Sequence, residues 1–353
     1  VVVVGSTVID FARARTPRGT VMAFDSNSGT PLWRFDPLLG QLASGSANVW
    51  APMSVDIENN LVFLPTSAPS PDYYGVQRPG DNRYANSLVA LNLQTGAIRW
   101  HFQHVRHDLW DYDTPAQPIL FDWRRDGATI PAVVQLTKQG FVFVFNRLTG
   151  EPLWEITEQP VPPSSIPGEK TAPTQPKPIA PPPLLDAFLT PEDAWGLTFW
   201  DRGDCRRQLS ELGNLGLFTP NSEQLTLMYP GSLGGPNWGG GALLGASGVL
   251  LVNLNNVAFT GQLMPLDASL QADGDGPRSD HPAAGHRMRV VMEGTPYAVE
   301  IGSLQSSLGI PCNAPPWGKL VAVDLYQGTI LWEAALGSVH EMGPLPLPFH
   351  IEW

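Results

Sequence analysis

Ten residues hold the densest group of reactive side chains in the chain. His104-Val-Arg-His-Asp-Leu-Trp-Asp-Tyr-Asp113 places two imidazoles (His104, His107) and three carboxylates (Asp108, Asp111, Asp113) together, in a sequence with only 15% charged residues. Such a set can take a proton from a hydroxyl as general base, or offer oxygen ligands to a hard divalent cation. A solvated loop could carry the same residues, and residue chemistry alone leaves the two readings even. The two cysteines, Cys205 and Cys312, allow either one disulfide or two buried thiols.

A repeated element surrounds this stretch. Ala23-Phe-Asp-Ser-Asn-Ser-Gly29 runs on to Trp33, Ala90-Leu-Asn-Leu-Gln-Thr-Gly96 to Trp100, Val144-Phe-Asn-Arg-Leu-Thr-Gly150 to Trp154, and Ala322-Val-Asp-Leu-Tyr-Gln-Gly328 to Trp332. The Asp or Asn bonds its own backbone in a turn, the Gly supplies a positive φ, and the flanking apolar residues pair as strands. One hairpin and one Trp per unit predicts propeller blades, with each Trp packed between neighbouring blades. The long interval from Gly150 to Gly328 holds about three blades, or fewer plus an insertion. The fold class is therefore all-β, a propeller of four-stranded blades.

Composition agrees. With 35 Gly, 36 Pro and 42% hydrophobic residues, the chain is turn-rich and excludes a helical bundle or coiled coil. A net charge of −12 without a Lys/Arg run argues against a nucleic-acid partner. No apolar run approaches the roughly 18–20 residues of a membrane helix. Between Pro160 and Pro183 a Pro-rich stretch reads as an extended surface insertion. Thr190-Pro-Glu-Asp193 then predicts a helix start, with the helix running through about Leu212. Residues 261–286, polar and rich in Gly and Asp, read as a loop. The whole chain, 1–353, reads as one partial propeller domain, interrupted at about 158–212 by the Pro-rich insertion and helix.

The string His107-Asp-Leu-Trp-Asp-Tyr-Asp113, followed by Gln117-Pro118, resembles the pyrroloquinoline-quinone (PQQ) dehydrogenases, and most of all their membrane-bound glucose, quinate and polyol dehydrogenase branch. Further strings agree in order: Ser46-Ala-Asn-Val-Trp-Ala-Pro52, Arg83-Tyr-Ala-Asn-Ser87, Phe218-Thr-Pro220, Asn237-Trp-Gly-Gly240, Gly309-Ile-Pro-Cys312 and Pro316-Trp-Gly318. The resemblance covers essentially the whole chain and implies an eight-bladed propeller of which this chain holds an incomplete set. The chain opens on Val1–Val4 without Met, so we expect a piece of a longer protein, poorly soluble and inactive by itself.

The resemblance implies PQQ with Ca²⁺ or Mg²⁺, a sugar, polyol or cyclic alcohol as substrate, and ubiquinone as electron acceptor. It also implies a place on the periplasmic face of the bacterial inner membrane, with membrane contact through segments outside this chain. It makes Asp111 the catalytic base and a metal ligand, and Lys138 the cation beside the quinone oxygens. Read alone, Lys138 would be a solvated surface residue. Asp10 falls at a metal-ligand position, and Ser70 at the third, with Asp72 as a fallback. Trp50 matches the aromatic floor under the planar cofactor, and Asn237 and Trp238 match a cofactor-contacting segment. Asp108 and Asp113 are expected to hold the loop through local backbone bonds. The cysteines are not adjacent, unlike the pair typical of methanol dehydrogenases. A rival reading is a non-catalytic scaffold propeller that binds protein partners; it accounts for the Trp repeats but not for Asp111, Lys138 and Trp50 in family order.

Overall fold

The computed structural model describes residues 1–39, 44–125, 127–266, 278–279 and 287–337. Four antiparallel sheets follow one another as blades. The first joins β1 (Val2–Val4), β2 (Val21–Phe24) and β3 (Pro31–Phe35). The second joins β4 (Ser54–Asp56), β5 (Leu61–Pro65), β6 (Ser87–Asn92) and β7 (Ile98–Gln103). The third joins β8 (Ile119–Arg125), β9 (Ala128–Leu136) and β10 (Val142–Asn146). A hairpin of β11 (Ile156–Pro160) and β12 (Thr174–Pro178) then crosses the Pro-rich stretch, and α1 (Phe199–Glu211) follows. The fourth blade is built from β14 (Gly241–Leu243), β15 (Val249–Asn255), β20 (Gly318–Asp324) and β21 (Thr329–Ala335).

The long interval is resolved as an insertion. Between β15 and β20 the chain leaves the blade to form β16 (Phe259–Pro265), β17 (Arg278–Ser279), β18 (Arg287–Val291) and β19 (Tyr297–Ser303), which join β13 (Thr226–Met228) in a five-stranded sheet. The loop expected at 261–286 is corrected at its start and at residues 278–279, which form β17 paired to β18. Residues 261–265 belong to β16, where alternating burial and pairing to β19 outweigh the polar composition. Residues 267–277 and 280–286 lie outside the described residues.

The repeat works as its residues predict. Gly29, Gly96, Gly150 and Gly328 have φ near +70° (67–78°), and each amide donates to the carbonyl of the Asp or Asn four residues earlier. Ala23, Ala90 and Ala322 each sit across the ladder from their own Trp. Trp33 then packs on Gly96 of the next blade and donates to Leu93 O at 2.9 Å; Trp100 does the same with Gly150 and Arg147 O. Trp154 lies against Gly328, so the third and fourth blades are neighbours despite the residues between them. Trp332 is the exception to the expected packing: it is 45% exposed, and no described sheet follows it.

The helix is shorter than expected. Thr190 instead opens a single 3-10 turn, Pro191–Asp193, where the Asp193 carboxylate accepts from both the amide and hydroxyl of Thr190. Thr198 caps α1 through the Asp201 amide. The cysteines pair: Cys205 of α1 is disulfide-bonded to Cys312, fastening the helix to the segment that leads back into the fourth blade.

Candidate active site

Loops from neighbouring blades converge at one end. The second blade contributes two arms, residues 66–86 between β5 and β6 and residues 104–118 between β7 and β8. The first blade contributes Asp10, the segment before β4 contributes Trp50, and the turn between β9 and β10 contributes Lys138.

The second arm is bent sharply. His107 and Asp111 both adopt positive φ, 47° and 59°. Asp108 holds the bend: its carboxylate accepts from the Trp110 and Tyr112 amides at 2.9 and 2.8 Å and from Asn86 Nδ2 at 2.7 Å. This is the local role expected of it. The Asp111 carboxylate projects from the bend to meet Lys138, whose Nζ donates to Oδ1 at 2.9 Å and to the Asp111 carbonyl at 2.6 Å. Tyr73 of the first arm donates to Oδ2 at 3.1 Å.

Asp113 departs from expectation. Its bonds are not local: Oδ1 accepts from the Ala68 amide at 2.6 Å and Oδ2 from the Trp50 indole at 3.0 Å, with Lys138 Nζ 3.8 Å away. Asp113 therefore links the expected aromatic floor to the expected base and cation. His104 fits neither reading of this stretch, being neither solvated nor part of the reactive group. It is buried against Phe102 and Phe143, and burial lowers its pKa to about 3, so the ring is neutral and part of the core.

Electrostatically the site holds more carboxyl groups than its two buried cations, Lys138 and Arg78, can offset, and burial keeps several of them toward the neutral form. Burial, opposed by Lys138 and reinforced by Asp113, pushes Asp111 up to about 7. Burial raises Asp10 and Asp72 well above the carboxylate range; Asp113 and then Asp111 add to this at Asp10, and Asp10 and then Asp111 at Asp72. Burial opposes the charge on Lys138, but Asp111 and Asp113 hold its ammonium above the ordinary value.

Of the expected metal ligands, Asp10 and Asp111 share this field. Ser70 is adjacent, but its hydroxyl faces the carbonyl oxygens of Asp10 and Arg13 at 2.8 and 2.6 Å. Asp72 is the better donor: it is fully buried, and neither carboxylate oxygen has a hydrogen-bond partner. Among the described residues no three acidic, His or Cys side chains are grouped closely enough to grip a metal ion. The donor type and the excess of carboxyl groups nevertheless suit a hard divalent cation. Asn237 and Trp238 lie in the loop whose Gly234 packs on Lys138. Asn237 bonds Leu233 O and the Trp238 amide within that loop, and Trp238 is 68% exposed. Tyr73 and Glu169 were not identified from the sequence; their contacts span 38 residues or more, and no local signal marks them.

A family model for the PQQ-type glucose/ethanol/alcohol dehydrogenase β-propeller domain matches residues 1–353. The chain is 40% identical over 326 residues to a probable quinate dehydrogenase (quinone) of Xanthomonas campestris pv. juglandis, covering 92% of this chain and 41% of that protein. It is 34% identical over 363 residues to the quinoprotein glucose dehydrogenase of Escherichia coli K12, covering 98% and 44%. Among solved structures, a europium-containing methanol dehydrogenase superposes with a TM-score of 0.59 at 19% identity, covering 94% of this chain and 51% of that one. The chain thus spans about half the length of these proteins, or less.

Proposed function

The chain belongs to the PQQ-type glucose/ethanol/alcohol dehydrogenase β-propeller family, and on that premise we propose that it carries the catalytic face of a PQQ-dependent dehydrogenase for a sugar, polyol or cyclic alcohol. The observation that carries this reading is the buried Asp111–Lys138 pair, 2.9 Å apart, amid further carboxylates. A scaffold has no use for so costly a cluster.

PQQ, when bound, supplies the two-electron acceptor for the hydride that leaves the carbinol carbon. Asp111 accepts the substrate hydroxyl proton on its carboxylate, and Tyr73 orients that carboxylate through Oδ2. Lys138 holds a fixed positive charge that would stabilise negative charge developing on a bound cofactor. Trp50, its indole tied to Asp113, offers a flat wall for a planar ring system. Ca²⁺ or Mg²⁺, which would supply Lewis-acid polarisation, would have to draw Asp10, Asp72 and Asp111 closer together than they stand; Ser70 contributes by fixing the Asp10 backbone. Quinone appears as acceptor in the name of the Xanthomonas relative. Transfer to ubiquinone at the periplasmic face of the inner membrane follows as the finer proposal. Among the described residues no helix is long and apolar enough to cross a membrane.

The test is PQQ binding by the full-length protein with Ca²⁺ or Mg²⁺, followed by dye-linked oxidation of quinate, glucose and glycerol. Binding by both wild type and Asp111→Asn, with turnover only in wild type, is expected. A folded full-length protein that binds no PQQ with either metal overturns the reading.

A further inference from the structure

We propose that Glu169, in the bend between β11 and β12, is a positioning residue for the site: it pins together the two arms that present Tyr73 and Asp111. The proposal rests on the dehydrogenase reading and adds a residue to it. Glu169 Oε1 lies 2.7 Å from His107 Nε2, and Oε2 accepts from the Gly75 amide at 2.5 Å. Both side chains of the Glu169–His107 pair are only 3% exposed. His107 stands four residues before Asp111, and Gly75 two after Tyr73. One carboxylate thus bridges the two arms beside the 3.1 Å contact between Tyr73 and Asp111.

The fit leaves no slack. A Cβ built on Gly75 would lie 2.4 Å from His107 Nε2. The far side of the His107 ring is also fixed, with Nδ1 2.8 Å from Gly80 O. Beside it Gln175 of β12 brackets the Arg106 backbone, accepting from its amide at 2.8 Å and donating to its carbonyl at 2.6 Å. Fastening the hairpin does not require Glu169. The partly exposed Arg106–Glu158 pair and the Gln175 bonds already do that. Other bonds also join the arms, from Asn86 to Asp108, Ala68 to Asp113 and His107 to Gly80; Glu169 adds the one that comes from outside both arms and fixes the Gly75 backbone, two residues from Tyr73. Groups hydrogen-bonded directly to metal ligands typically cost 10–100-fold in metal affinity or activity when removed, and Glu169 acts on Tyr73 and Asp111 one contact further back, through Gly75 and His107.

The full-length holoprotein is compared with Glu169→Ala, Glu169→Gln and Glu158→Gln. Ca²⁺ or Mg²⁺ affinity is read by tryptophan fluorescence, alongside kcat, KM and thermal unfolding. Glu169→Ala is expected to lose roughly 10–100-fold in both metal affinity and kcat, with substrate KM within about threefold. Glu169→Gln, which keeps one acceptor oxygen, should fall between. Glu158→Gln should match wild type. The role is overturned if Glu169→Ala lowers only the unfolding temperature, or if Glu158→Gln reproduces the full loss. Should Glu169→Ala not fold, wild-type metal affinity and kcat in Glu169→Gln overturn it equally. A wild type that binds neither PQQ nor metal sinks the dehydrogenase reading and this inference together. A fully active wild type with an indifferent Glu169→Ala sinks this inference alone.

Discussion

Asp111 is subject to two opposing influences. Burial favours its neutral form, and Lys138 favours the carboxylate that a base and ligand must be; the balance sits at about 7 in the metal-free protein. Removing the ammonium tips that balance, so Lys138→Met should move the protonation midpoint of Asp111 upward. Infrared difference spectra of the carboxyl stretch against pH would show it, and a midpoint that stays or falls would refute the electrostatic account. Asp111→Asn removes the proton acceptor but keeps the shape, and should cost about 10²–10⁴-fold in kcat. The residue-scale features were unevenly legible. Asp111 and Lys138 were marked by short strings around them. Asp72 was visible only as a fallback, because its burial and orphaned oxygens arise from the folding of distant loops around it. Asp113 was misassigned for the same reason: its partners Trp50 and Ala68 lie 63 and 45 residues away.

At the level of elements, the hairpin repeat was legible because its chemistry is local: a side chain bonding its own turn and a glycine in the left-handed region. The docking between blades gives those glycines different burdens. Gly29 and Gly96 share a φ of 70°, but a Cβ at Gly29 meets nothing within 4 Å, whereas one at Gly96 would lie 2.7 Å from the Trp33 ring. Both Ala variants should lose about 1–2 kcal/mol to left-handed strain. Gly96→Ala should lose a further ~1–3 kcal/mol as Trp33 is displaced. Denaturant midpoints of the two variants would measure the difference, and equal losses would mean that the Trp–Gly contact contributes no specific packing. The inserted five-stranded sheet was not legible, since its strands carry no such signature and are held by pairing between residues far apart in sequence.

At the scale of the molecule, exposure and charge each lead to a consequence. Val1, Val2 and Val4 at one end and Leu331 and Trp332 at the other are 45–50% exposed, and the named relatives are about twice as long. The 353 residues expressed alone should therefore self-associate on size-exclusion chromatography, and a chain of the relatives' length should not. Asp10, Asp72, Asp108 and Asp111 all titrate above their ordinary value in the folded protein, Asp108 at about 6 and Asp111 at about 7, with burial the leading cause in each. The unfolded chain releases these protons near pH 4, so between about 4 and 7 the native state binds more protons than the unfolded one. Stability of the metal-free protein should be greatest at the acid end of that window and fall as pH rises through it. The carboxylates held low by hydrogen bonds, such as Glu169 and Asp56, lose their contribution only at more acid pH and leave this window to the site. A divalent cation held as proposed should offset this fall, because it would bind the deprotonated cluster with an affinity that grows as protons leave. The unfolding temperature of metal-free full-length protein should thus drop from pH 5 to pH 8, and millimolar Ca²⁺ or Mg²⁺ should restore it at pH 8 with little effect at pH 5. A flat profile, or equal stabilisation at both pH values, would show that Asp10, Asp72 and Asp111 do not form one cation-compensated cluster.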